Sequence, residues 1–204
     1  MPDTSAVLRT GKTLGQICDA AELSDDARAL RAEGQAARQF AELLVARALY
    51  PDAVRFLACA LPRREAVWWA WVCARRAAGE KPPAPVQASL EATQQWIAEP
   101  TDPRRRTAMQ YAEAAGFGTP AGSAGLAAFL SGGSLAPPDV AAVPPGEFMA
   151  AKAIAGSIVL AAVTTEPERA DEKFRGFVEQ GMLVAEKTDL WTPPEKPAGQ
   201  GGRR

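Results

Sequence analysis

The sequence predicts an all-α protein: a compact orthogonal bundle of eight or nine helices, with a short α-solenoid of two-helix repeats as the alternative. Three observations point there. Alanine makes up 43 of the 204 residues, and alanine is the best helix former and lets helices approach closely. Only two tyrosines and few β-branched clusters occur, which disfavours a sheet. Apolar residues recur at helical spacing between Pro, Gly and Ser/Thr/Asp punctuation along most of the chain.

The elements follow in order. Thr13 with Gln16 three residues on forms a capping box for a short helix to about Ala21. Ser24 before Asp25 and Asp26 reads as an N-cap with acids at the positive helix end. Phe40, Leu43, Leu44 and Ala48 mark a helix within Gln35 to Leu49, and Pro51 opens the next, with Val54, Leu57, Ala58 and Leu61 on one side. Pro62 opens a helix that stops at Gly79, and Lys81 to Pro85 is a joint. Helices then run from Val86 to Ala98, from a Thr101 or Asp102 cap to Gly116, and from Thr119-Pro120 past Phe129. Ser131 to Gly146 holds two Pro-Pro pairs and reads as an extended or polyproline linker. Phe148–Val163 and Pro167–Lys187 are two more helices. The whole reads as one helical domain, 1–187, with the linker at 131–146 and a disordered tail at 188–204 that Trp191 would anchor. Pro62-Arg63-Arg64 and Pro103-Arg104-Arg105 both open helices closed by Gly, about 41 residues apart, which is the basis of the solenoid alternative.

The totals exclude much chemistry. There is no histidine, hence no His general base, no Ser-His or Cys-His pair and no His-ligated metal. A net charge of −1 gives no general attraction to nucleic acid or anionic membrane. Cys18, Cys59 and Cys73 are odd in number and lack zinc spacing, so a reduced, cytoplasmic protein is expected. Met1 to Thr10 lacks the apolar core of a signal peptide, and the apolar run Ala153 to Val163 is too short for a bilayer. Gly11-Lys12-Thr13 resembles the end of a P-loop, but Ala6 stands where the pattern needs glycine. Cys59 and Cys73 fall on apolar helix faces, and no carboxylate pair sits in an apolar setting, so no catalytic residue, metal or cofactor is expected. Ser131-Gly132-Gly133-Ser134 reads as a helix end, with a backbone anion nest as the alternative. Arg104-Arg105-Arg106 reads as a solvated face, with pairing to a partner's acids as the alternative. Three cations at a helix start oppose the helix dipole, so something else must hold them.

The unusual segment is Leu61 to Arg76, which holds three of the five tryptophans within four positions. At about 100° per residue, Trp68, Trp69, Trp71 and Val72 span an arc of roughly 160°. Ala66, Ala70, Cys73 and Ala74 lie opposite, so one side is bulky and the other small. Arg64 with Trp68, Glu65 with Trp69 and Trp71 with Arg75 are i,i+4 neighbours, which predicts Arg planes over indoles. Two readings stand: an ion-paired rim around a second core layer, or a partner-binding patch of Arg64, Trp68, Trp69, Trp71 and Arg75. Trp and Arg are the residues that most often anchor protein interfaces.

Leu61-Pro62-Arg63-Arg64-Glu65-Ala66-Val67-Trp68-Trp69-Ala70 resembles the hallmark of an uncharacterised bacterial family of unknown function. Similar segments are Trp96-Ile97-Ala98-Glu99-Pro100, Glu113 to Phe117 with Thr119 to Gly122, and Ser131 to Pro138, so the resemblance covers roughly Phe40 to Ala185. It implies a cytosolic accessory protein encoded beside type VI secretion genes, and it carries no catalytic residues. The expectation is a non-enzymatic adaptor or chaperone-like protein holding another protein, secretion cargo or a spike component, with no nucleic acid, membrane, metal or cofactor. A small-molecule or peptide-binding domain with an aromatic pocket is the alternative.

Overall fold

Local chemistry sets the first helix starts. The Thr13 hydroxyl accepts from Gln16 N at 3.3 Å while Gln16 Oε1 accepts from Thr13 N at 2.9 Å, which closes the capping box. Ser24 Oγ accepts from Ala27 N at 3.2 Å and donates to the buried Asp52 carboxylate at 2.9 Å. A second-helix cap is thereby tied to a later helix 28 residues on.

The computed structural model describes residues 7–193. It contains α1 (Leu14–Ala20), α2 (Asp25–Ala29), α3 (Ala37–Ala46), α4 (Tyr50–Ala60), α5 (Arg63–Ala78), α6 (Ala84–Ala98), α7 (Asp102–Ala115), α8 (Pro120–Leu130), α9 (Met149–Val163) and α10 (Ala170–Lys187). A single 3₁₀ turn, Pro167–Arg169, separates the last two helices. The all-α class and the bundle are as expected. The count among the described residues is ten rather than eight or nine, with the short Asp25–Ala29 segment standing as a helix of its own. The two Pro-Arg-Arg helices are not equivalent repeats: α5 packs on α6, α8, α9 and α10, whereas α7 packs on α6 and α8.

Small residues set the helix spacing. A Cβ on Gly125 of α8 would lie 2.9 Å from Ala112 Cβ and 3.1 Å from Ala108 O on α7, so this crossing is as close as backbones allow. Ser89 Oγ of α6 donates to Ala121 O of α8 at 3.1 Å, and Ser157 Oγ of α9 donates to Pro120 O at 2.8 Å. These buried hydroxyls are therefore satisfied at helix contacts. The main core draws on residues from Leu8 to Leu190, with Trp69, Phe40, Phe56, Leu57 and Ile158 among its fully buried members. A small second cluster, Phe129, Leu130 and Ala150, sits where α8 ends. Among the described residues no single helix is long and apolar enough to cross a membrane.

Two segments differ from expectation. The 131–146 stretch is not extended: Leu135 N donates to Val143 O at 2.8 Å and closes it into a loop. Polar anchors override the proline content, since Ser134 Oγ accepts from Ala136 N at 3.1 Å and Val143 N at 2.9 Å. The tail expected from 188 begins with packed chain. Leu190 is fully buried and donates its N–H to Ala185 O at 2.9 Å, while its own carbonyl accepts from Arg9 N at 3.0 Å. Trp191 packs on the same core, its indole N–H buried without an acceptor among the described residues. Residues 194–204 of that expected tail lie outside the described residues.

Candidate protein-binding site

The five residues singled out on α5 do not form one patch. Burial divides the helix so that Ala66, Val67, Trp69, Ala70, Cys73 and Ala74 face the core. Trp69, at the edge of the bulky arc, turns inward and is fully buried, and its Nε1 donates to Phe177 O of α10 at 2.7 Å. A space opposite Gly181 admits the ring, and no signal local to α5 could reveal it. Trp71 is half-buried against α6, with Nε1 donating to Leu90 O at 2.8 Å. Trp69 and Trp71 thus clamp α5 to α10 and to α6, each with its polar edge satisfied as buried indoles require.

Trp68 has a different setting. It is half-buried and lines a groove of about 380 Å³ together with Arg64, Glu65, Ile97, Val184, Lys187 and Thr188. Three helices build this groove: α5, the C-terminal end of α6 and the last turn of α10. Ile97, Val184, Lys187 and Thr188 were not foreseen, because nothing in their own segments says that two distant helix ends meet beside Trp68. The floor is apolar and the rim carries Arg64, Lys187 and Glu65. An apolar side chain flanked by an acid fits that arrangement.

The arginines do not stack on the indoles as their spacing predicts. Arg64 Nε donates to Ile97 O at 2.7 Å and Nη2 to Ala98 O at 3.4 Å, so its guanidinium caps the end of α6. Unsatisfied C-terminal carbonyls attract a cation more strongly than an exposed ring face does. Arg75 Nη1 donates to Gly79 O at 2.8 Å, past the end of its own helix. The cation–π contacts found among the described residues are elsewhere: Lys12 over Phe148 at 4.8 Å and Arg105 over Phe129 at 4.5 Å. Arg64 and Trp68 belong to the groove, Trp69 to the core, Trp71 to the α5–α6 contact and Arg75 to a helix end.

Arg104-Arg105-Arg106 is not a solvated face. Arg105 is only 4% exposed. Its Nη1 donates to Phe129 O at 2.7 Å, its Nη2 to Ser134 O at 2.8 Å and to Asp102 Oδ1 at 2.6 Å, and its Nε to the same carboxylate at 2.9 Å. Arg106 pairs with Asp102 Oδ2 at 2.8 Å and donates to Ala136 O at 2.8 Å, and Arg104 pairs with Glu99 at 2.7 Å. The Arg105 and Arg106 guanidiniums hold the Asp102 carboxyl below the usual carboxylate range. The dipole penalty of the triplet is offset by these contacts. Ser131-Gly132-Gly133-Ser134 does end α8, and its Ser131 and Ser134 carbonyls accept from Arg63 and Arg105. Gly133 has φ +64 and lies too close to Arg105 to admit a Cβ.

Other reactive groups lie apart from the groove. Burial pushes the Cys18 and Cys59 thiols up to about 11 and raises Cys73 as well, the direction that makes a thiol inert. Lys12 of the P-loop-like tripeptide donates to Cys59 O at 2.6 Å, and desolvation lowers its pKa. Among the described residues no group of three or more His, Cys, Asp or Glu could hold a metal ion.

Residues 40–185 match the family of unknown function DUF6931, and the chain belongs to that family. No curated protein and no solved structure matches it.

Proposed function

We propose that this member of a family of unknown function is a non-enzymatic, cytoplasmic adaptor or chaperone-like protein whose groove beside Trp68 holds a segment of another protein. The observation that carries the reading is the groove itself, where half-buried Trp68 and Ile97 stand over buried Val184 between three helix ends. Buried aromatic anchors with a charged rim are the usual core of a protein interface. The three tryptophans face three different surroundings, so they build no shared aromatic pocket, and the small-molecule alternative has less support. The place of the protein beside a type VI secretion system, holding cargo or a spike component, is supported by the resemblance of Leu61 to Ala70 alone.

The test is co-expression with cognate secretion cargo and spike proteins, then co-purification of wild type and Trp68→Ala. The expected result is a stable complex with one of them that weakens at least thirtyfold in the variant, while the variant still melts cooperatively. Absence of any complex with the cognate set, or a complex indifferent to Trp68→Ala, overturns the reading.

A further inference from the structure

The 131–146 loop is held with more interactions than a mere connection needs. Buried Arg105 and half-buried Arg106 hold the carbonyls of Phe129, Ser134 and Ala136. Ser134 Oγ gathers two amides from opposite sides of the loop, and Leu135 N closes it on Val143 O. Pro137-Pro138 and Pro144-Pro145 stiffen its two arms. This scaffold carries outward Val140, 55% exposed, and Val143, 51% exposed, beside the exposed acid Asp139. A preorganised apolar loop loses little entropy on docking.

The loop and the Trp68 groove lie at one end of α5. Arg63 donates to Ser131 O at 3.3 Å and to Glu147 O at 3.4 Å, fixing both arms of the loop. The next residue, Arg64, rims the groove. The loop presents valines and a carboxylate, and the groove presents an apolar floor and a rim on which the cations Arg64 and Lys187 outnumber the one acid, Glu65. Two copies facing each other end to end can therefore exchange loops about a twofold axis. Such an isologous contact closes at the dimer rather than running on into a fibre.

We infer that the protein self-associates as a reciprocal dimer in which the Val140–Val143 loop of each copy docks in the Trp68 groove of the other. This rests on reading the groove as a docking surface, and it makes the second copy a competitor of any other partner. Each contact is small, so the dimer dissociates readily.

Sedimentation equilibrium of the purified full chain, from about 5 to about 500 μM, tests the inference. A monomer–dimer equilibrium is expected within that range. Val140→Asp is expected to abolish it, and Asp139→Lys and Lys187→Glu are each expected to weaken it at least tenfold. The two charge reversals placed in one chain restore dimerisation to within about threefold. All three positions are exposed, and circular dichroism confirms that each variant is folded. A monomer at every concentration, a dimer indifferent to Val140→Asp, or single reversals without the combined rescue overturns the inference. The groove's role toward another protein is judged separately, by the cognate complex.

Discussion

The indole of Trp69 lies against the backbone of Gly181: a Cβ at 181 would come within 2.7 Å of its Cζ2 atom and 3.1 Å of Leu57 Cδ1. The ring is fully buried and anchored to Phe177 O one turn earlier on α10, so it cannot swing away without losing that bond. Gly181→Ala is expected to destabilise the protein by about 2–3 kcal/mol, although alanine is the better helix former. Thermal melting reads the effect as a fall of about 5–10 °C. An unchanged or raised melting temperature would show that the α5–α10 contact is looser than described.

Trp68 and Trp69 are neighbours in sequence with opposite consequences. Trp69→Ala leaves a core cavity and should cost about 3–5 kcal/mol. Trp68→Ala removes a half-buried groove wall and should cost about 1–2 kcal/mol. Urea denaturation of the two variants side by side measures the contrast. Equal losses would place Trp68 in the core and remove the groove.

Ala48 occupies the position after the C-cap of α3 with φ +56. Its N–H donates to Val45 O at 3.0 Å, and Leu49 N donates to Leu44 O at 2.9 Å, the two bonds of a Schellman ending that favours glycine. Ala48 is exposed and its methyl contributes no core packing. Ala48→Gly is expected to stabilise by about 1 kcal/mol, read as a higher denaturant midpoint with unchanged slope. A fall in the midpoint refutes this account of the helix end.

Asp102 makes the loop clamp pH-sensitive. Its carboxyl is depressed, first by the Arg105 hydrogen bond and then by that of Arg106. A depressed carboxylate contributes stability that is present above its unfolded value of 3.8 and is lost as pH falls through the lower folded value. Wild type should therefore lose stability more steeply than Asp102→Asn below about pH 4. Parallel stability curves for the two proteins from pH 6 to pH 2 would refute the assignment. Arg105→Ala strands the Phe129 and Ser134 carbonyls and should cost about 2–4 kcal/mol at neutral pH.

The three thiols offer a simple check of burial. Cys18, Cys59 and Cys73 are buried and all shifted upward. At pH 8 in native buffer a thiol reagent should modify them at least a hundredfold more slowly than in denaturant. Rapid labelling of any one of them would reveal an opening that the packing does not contain.

The chain's own residues determined the helical class and most helix ends, because capping boxes, prolines and glycines act within a few residues of each other. Thr13–Gln16, Ser24, Thr119-Pro120 and Gly116 behave as their local chemistry dictates. The unusual stretch stood out in the sequence, and two of its residues, Trp68 and Arg64, line a groove. Tertiary structure alone decided the rest. A helical wheel could not tell Trp69 from Trp68, since the difference is a glycine 112 positions away that makes room for one ring. Nor could it place Ile97 and Val184 beside Trp68, or turn Arg105 inward onto the end of α8. Burial and hydrogen bonding between distant segments depend on which helices meet, and no periodicity within a single helix records that.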